Sequence, residues 1–440
     1  MRKKQFKKSN GIALISALII LGVLVILTGA MLTFLERENF FTSRYLNSQK
    51  ALALAEAGID KAVQALGVNP SYIGETTELG EGTFLVEVTG TGETRVIKST
   101  GEVANVQKII QVNAEIAESR VEFYYGAQIG RGGLVMGNNS IIQGGGGTSG
   151  NVYSNGSISG GNRAKITGDV FIASEWDGQK QQTSISGVEV GHNLHVYKCQ
   201  QSEVTNILSL APSGINDGCT YGTLENETEE IPEEQLPISS EQITEWKNEG
   251  ARNYCSESEC PGGNYTVDIN QSREIDSKKI PGNMEIRNNG TLTVSGVIWV
   301  VGNITIKQGG VVKLHPDYGE SSGTIVADGK IIVENGAQVY GTDPLGLNGS
   351  YLMLLSTNPS QDPTSPAIEA GNKSDSAVFY ANEGVIKVKN TANLKEVTSY
   401  KLYLEENSIV SYNSGLASAK FTLGPGSPWR VVRGTWTKLK

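Results

Sequence analysis

GTLTVSGVIWVVGNITI, residues Gly290–Ile306, decides the fold of most of this chain. Apolar bursts of three to five residues follow one another there, separated by Gly or Asn. The same texture starts near Gly126, with Leu134–Met136, Val170–Ile172 and Leu194–Tyr197. It returns at Ile304–Ile306, Ile325–Ala327, Ile331–Val333, Val378–Tyr380 and Val385–Val388. The bursts are too short and too evenly spaced for hairpins, and no βα alternation is visible. A parallel β-helix fits: each coil stacks on the next, and its corners favour residues that tolerate φ > 0. A β-sandwich of short strands is the alternative. Fifty-three glycines and only three histidines suit short strands and turns rather than a helical enzyme core.

The N-terminus has a different character. Met1–Gly11 holds Arg2, Lys3, Lys4, Lys7 and Lys8 and no acid, and Ile12–Leu35 then runs without a charge. At 1.5 Å per residue such a helix is ~36 Å long, enough to cross a hydrocarbon core of ~30 Å. The basic leader predicts a cytoplasmic N-terminus and an exported C-terminal mass. The apolar run is longer than that of a secretory signal peptide, and the helical pattern continues beyond it. Leu52, Ala55, Ile59, Ala62 and Leu66 line one face by steps of three and four. Gly67 and Pro70 then stop the helix. A single helix from Ile12 to Leu66 is the expectation, half in lipid and half outside. Beyond it, Phe84–Val88, Arg95–Ser99 and Lys108–Val112 read as a small antiparallel meander set against the helix.

These residues carry a resemblance. The leader ending in Gly11, followed by IALISAL (Ile12–Leu18), resembles a type IV prepilin N-terminus. The run ALALAEAGI (Ala51–Ile59) is similar to the Ala-Glu-Ala-rich segment of PilX-type minor pilins. The resemblance extends from Met1 to the neighbourhood of Pro70. It implies cleavage after Gly11 by a prepilin peptidase and N-methylation of the new terminus at Ile12. It further implies that Ile12, Leu14, Ser16, Leu18, Leu21, Leu24 and Leu35 pack in the membrane or the filament core. The implied partners are other pilins, the assembly platform and membrane lipid; the implied place is a single-pass membrane protein exposed at the cell surface. Two positions depart from the major-pilin pattern. Ile12 stands where Phe is more usual. Ser16 occupies the fifth mature position, where most major pilins carry a Glu that neutralises a neighbour's terminal amine, and a buried charge without a partner is costly. The departure at Ser16 points to a minor, tip or initiation subunit rather than bulk filament. The Gly290–Ile306 texture also resembles the β-solenoid of bactofilin-like polymer-forming proteins.

The domain reading follows: leader 1–11, helix 12–67, meander 68–125, first β-helix part 126–212, an acidic Cys-containing insertion 213–281, and a second β-helix part 282–440 with a C-terminal cap. In the insertion Glu225, Glu227, Glu229, Glu230, Glu233 and Glu234 crowd together, and Ser239 or Ser240 is set to cap a short helix. Without a calcium-loop pattern, that acidic run reads as a solvated face. Trp429 and Trp436 read as residues covering the last coil. The four cysteines Cys199, Cys219, Cys255 and Cys260 lie on the exported side, where disulfides persist. Three pairings are possible, and Cys199–Cys219 with Cys255–Cys260 closes the most local loops.

The chemistry read from the sequence is that of a structural protein. The net charge is −9 and the leader contributes five positive charges, so the remainder stands near −14 and repels nucleic acid. GESSG (Gly319–Gly323) matches a nucleophile pattern, but a strand follows it where a helix is required. Gly145, Gly147 and Gly150 match a dinucleotide pattern with no helix behind them. His192 and His195 are three apart and fall on opposite faces of a strand. No catalytic residue, metal site or cofactor is expected. Asp169, Asp177, Asp317, Asp328, Glu334 and Asp343 are scattered carboxylates, and they keep open a rival reading: a membrane-anchored surface β-helix that binds or cleaves polysaccharide. The leading expectation is assembly and display, with a surface glycan or host ligand as the target of adhesion.

Overall fold

The computed structural model describes residues 12–69, 71–90, 94–116, 118–145, 149–344, 349–372, 378–424, 429–432 and 434–439. The fold is mainly β with one long N-terminal helix. It divides into two compact units, Met1–Ile116 with Trp429–Lys440, and Ala117–Pro428.

In the first unit helix α1 (Ile12–Val68) runs 57 residues without a break. Its C-terminal half lies on an antiparallel sheet of β1 (Thr76–Leu79), β2 (Gly82–Thr89), β3 (Thr94–Val103) and β4 (Val106–Ile116). Phe84, Val86 and Val88 alternate inward along β2, as a half-buried strand requires. The far edge of β4 is closed by the end of the chain: β5 (Trp429–Val431) and β6 (Thr437–Leu439) both pair with it antiparallel. This corrects the expected 282–440 boundary and the expected cap. Trp429 is buried in the helix–sheet core and Trp436 is exposed on the same unit. An unpaired β4 edge accounts for the difference, because a bare edge is a liability that the terminal strands remove.

The second unit is a parallel β-helix rather than a sandwich. One face stacks Lys278–Ile280, Ile298–Val300, Gly323–Ala327, Leu352–Ser356, Val378–Val388, Glu396–Leu404, Ala127–Met136, Val152–Ser154, Val170–Ile172, Leu194–Gln200, Glu203–Asp217 and Thr220–Asn226, each paired in parallel with the next. A second face includes Tyr265–Val267, Met284–Ile286, Ile304–Ile306 and Ile331–Val333. A third includes Ser272–Ile275, Thr291–Val294, Val311–Leu314 and Gln338–Tyr340. At ~4.8 Å per rung the first face is ~50 Å long. Alternate side chains such as Ile304 and Ile306 point inward and stack on their equivalents above and below. At one corner Asn270, Asn289, Gly309 and Gly336 recur with φ of 57°, 55°, 69° and 70°, which explains the Asn and Gly between bursts. At another, the side-chain oxygens of Asn264, Asn283 and Asn303 each accept 2.8 Å bonds from the backbone one coil on.

The stacking order is not the chain order. The first part runs from Ala127 to one end of the stack at Asn226. The second starts at the opposite end with Tyr265 and returns to the middle, where Val397–Leu404 pairs with Ala127–Met136 and Ile409–Tyr412 with Ile141–Gly144. The expected insertion 213–281 is therefore corrected. Coils reach Asn226 and resume at Tyr265, and residues 227–264 form a strap that carries the chain from one end of the stack to the other. Four of the six glutamates in the acidic run are pinned, while Glu225 and Glu229 are exposed as expected. Glu227 bonds His195 at 2.9 Å, Glu230 bonds Ser174 at 2.7 Å, Glu233 bonds Arg131 at 2.6 Å and Glu234 accepts from Tyr125 at 2.9 Å. The helix α2 (Ser240–Gly250) is capped by Ser239 and lays Ile243 and Trp246 over Val297, Val326 and Met353, a second core outside the first face.

Cys199 is bonded to Cys219 and Cys255 to Cys260. The first pair lies near the Asn226 end of the stack and the second beside the Tyr265 end, both against the main core.

Glu396 opens the strand that meets the junction, and it is fully buried in the β-helix. Its Oε1 accepts from Thr398 at 2.6 Å, and its Oε2 has no partner among the described residues. Burial pushes its carboxyl well above the usual range, against the smaller opposing effect of the Thr398 bond. The folded chain thus keeps a proton that the unfolded chain releases. The contribution of Glu396 to stability is fully present below the ordinary carboxylate value and falls as pH rises toward the raised one, by about 1.4 kcal/mol per pH unit across that window. Glu396→Gln stays neutral and removes this slope. Thermal unfolding of the full chain in detergent should show the variant gaining on the wild type as pH rises above the ordinary carboxylate value; a gap that does not change with pH contradicts the protonated carboxyl.

Candidate functional site: the N-terminal helix and its sheet

Among the described residues, none packs around the first half of α1. Every described side chain from Ile15 to Leu35 is exposed, and this stretch carries the chain's membrane-span candidate, with a mean hydropathy of 2.7. Ser16, Leu18, Leu21, Leu24 and Leu35 all lie on this bare segment. The backbone of Ile12 and Leu14 is helical, while their side chains and Gly11 lie outside the described residues. Two hydroxyls in the span are satisfied by the helix itself: Thr28 donates to Leu24 O at 2.8 Å and Thr33 to Ala30 O at 2.9 Å. In lipid such bonds remove the cost of an unpaired hydroxyl.

The second half of α1 is packed. Ala51, Leu54, Ala55, Ile59, Ala62 and Leu66 are buried against Phe84, Val86, Ile97, Ile110, Val112 and Trp429. The expected stripe holds from Ala55 onward. At its start Ala51 and Leu54 take the buried places, and Leu52 is half-buried. Two glycines set the approach. A Cβ on Gly101 of β3 would stand 2.1 Å from Ala51 O and 2.6 Å from Ala55 N. A Cβ on Gly58 of α1 would stand 2.2 Å from Ser99 Oγ. The alanine-rich run is therefore a contact surface where helix backbone meets strand backbone. Its signal was present in the density of Ala and Gly, but its partner strand was not. At the helix edge Lys61 pairs with Glu75, and that hydrogen bond holds the Glu75 carboxyl below its ordinary value.

The residues tested for other chemistry do not converge. Ser321 sits between a short helical turn at Pro316–Tyr318 and the strand Gly323–Ala327, with no helix to form a nucleophile elbow. His195 stacks on Phe171 at 4.7 Å, whereas His192 lies exposed in the preceding turn. Asp177 pairs with Arg131, Asp328 with Lys247 and Glu334 with Lys307, each in a separate structural bond. Asp169 accepts from the backbone of Asn193. Gly147 lies outside the described residues. Among the described residues no group of three His, Cys, Asp or Glu side chains is placed to hold a metal ion.

The chain matches no protein-family model and no curated protein. Among solved structures, the competence-associated pilin ComZ from Thermus thermophilus aligns over 89% of this chain and 97% of its own, at 12% identity and a TM-score of 0.25. That score is below what a shared overall fold produces.

Gly101→Val should clash with the α1 backbone and cost the helix–sheet unit about 3 kcal/mol. Gly29→Ala, with nothing within 4 Å of the added atom, serves as the neutral control. Thermal unfolding and protease sensitivity of the two variants measure the difference; equal behaviour would mean that helix and sheet do not approach this closely.

Proposed function

We propose that this protein is a membrane-anchored structural subunit of a type IV pilus-type system, a minor pilin or pseudopilin-like protein that displays a β-helix outside the cell. The observation carrying this reading is the single helix α1, bare and apolar in its first half and packed on an antiparallel sheet in its second. A plain membrane anchor has no need to run the same rigid rod into the core of the next domain. In a pilin-type subunit the rod is what adjoining subunits pack against, and the sheet fixes the rod to the exported mass. Gly11 and Ile12 are the processing residues, with cleavage after the first and methylation of the second. Ile12–Leu35 is the segment that passes from lipid into a filament or assembly platform. Ser16 in place of Glu favours a tip or initiation position, where no neighbour's amine has to be neutralised.

The β-helix then works by adhesion, presenting long flat faces to a surface glycan or host ligand, and the mechanism is binding and assembly without catalysis. Its solenoid is inserted in the chain between β4 and β5, so the displayed part is tied at both of its ends to the sheet that holds the rod.

Mass spectrometry of the N-terminal peptide of the protein from its native membrane tests the reading. The expected peptide begins at Ile12 and carries one added methyl group on its amine. A chain starting at Met1 would leave a plain anchor, and one starting beyond Leu27 would mean an exported soluble solenoid.

A further inference from the structure

The two ends of the solenoid are built differently. In the coil Tyr265–Ile280 the inward residues Tyr265, Val267, Ile275 and Ile280 are all buried. The loop closed by Cys255–Cys260 packs against them, and Tyr254 extends the ladder by bridging to Lys279. Among the described residues the opposite end has no such plug. Every residue of the last strand, Thr220–Asn226, is exposed. Its Tyr221 and Leu224 stand in register with Val204 and Leu208, which belong to the core. Tyr221 and Leu224 are 38% and 41% exposed, against 2% and 0% for the residues one rung below. Ile215, on the preceding strand, is likewise exposed. Among the described residues the strand pairs only with Glu203–Asp217, so its far edge has no ladder partner.

A parallel edge with uncovered inward side chains is a template for another strand. This fold already contains one such union: the coil ending at Tyr412 docks on the coil starting at Ala127 through segments 268 residues apart in sequence. Charge narrows the occupant. Glu203 and Glu225 are exposed and, among the described residues, have no cationic partner; Asp217 ends the preceding strand and pairs with Lys198 at 3.5 Å. A second copy offering the same end would set like charges against each other, and its other end is plugged. We propose that Thr220–Asn226 accepts, by strand addition, an extended segment of a partner protein in which Lys or Arg alternates with apolar residues. The apolar side chains cover Tyr221 and Leu224, and the cations meet the rim carboxylates. The proposal does not depend on how the N-terminus is processed.

The test uses the full chain in detergent micelles and two capped twelve-residue peptides, six Lys-Val repeats and six Glu-Val repeats. The Lys-Val peptide should bind saturably by fluorescence anisotropy, weaken as salt rises, and slow amide exchange at residues 220–226. Leu224→Lys and, separately, Glu225→Lys should each weaken it about tenfold, ~1.4 kcal/mol. Both side chains are exposed, so circular dichroism should be unchanged. Unaltered exchange at 220–226, protection placed elsewhere, equal binding of the Glu-Val peptide, or self-association of the chain through this strand without peptide would each overturn the proposal.

Discussion

The structure depends on a seam without a covalent link across it: the parallel ladder between Val397–Leu404 and Ala127–Met136, continued between Ile409–Tyr412 and Ile141–Gly144. Across it Leu402 and Leu404 stack on Leu134 and Met136, all buried in one core. Without the seam there would be two short solenoids, each with another open edge at the middle of the stack. With it, one core runs the whole length. A ladder of backbone bonds is a good device for this, because its strength does not depend on side-chain identity and its register is held by the inward residues.

The seam requires the chain to travel from one end of the stack to the other, and the strap is that path. Its composition follows from its route. A segment lying over a β-sheet face must bury apolar residues and satisfy its own backbone. Ile231, Ile238, Ile243 and Trp246 supply the first. For the second, Tyr153 donates to Pro232 O, Asn155 to Glu234 O, Gln128 to Gln235 O and Tyr380 to Ile238 O. Glu233 fastens to Arg131, Glu230 to Lys180 and Ser174, and Glu227 to His195. An acidic run that is pinned at both backbone and side chain is part of the fold, not a tail.

How much was legible follows from the range of the interactions involved. The apolar helix, the stripe from Ala55 to Leu66 and the bursts of the solenoid were readable because their periods are local, the turn of a helix and the alternation of a strand. The Asn and Gly corners were readable for the same reason. The seam was not, because nothing in Val397–Leu404 marks its partner as a strand near the start of the solenoid rather than the next coil in sequence. The strap was misread because carboxylates resemble a solvated face until their partners are known. Trp429 was misread because a buried aromatic near a chain end fits any nearby core, and only the bare edge of β4 decides which. The packing of α1 was half legible: the stripe marked the face laid on the meander, but the close approach of helix and strand backbones at Gly58 and Gly101 has no local pattern to announce it.

The helix–sheet unit carries a folding constraint of its own. Its β4 and β5 are neighbours in the sheet, yet all of Ala117–Pro428 lies between them in the chain. Closing a flexible loop of that length would cost entropy that grows as the logarithm of its length. The solenoid lowers that cost by holding its own incoming strand Glu118–Arg120 antiparallel to its outgoing strand Lys420–Thr422. Once folded, it presents both ends of the long insertion side by side, and to the sheet it acts as a short connection.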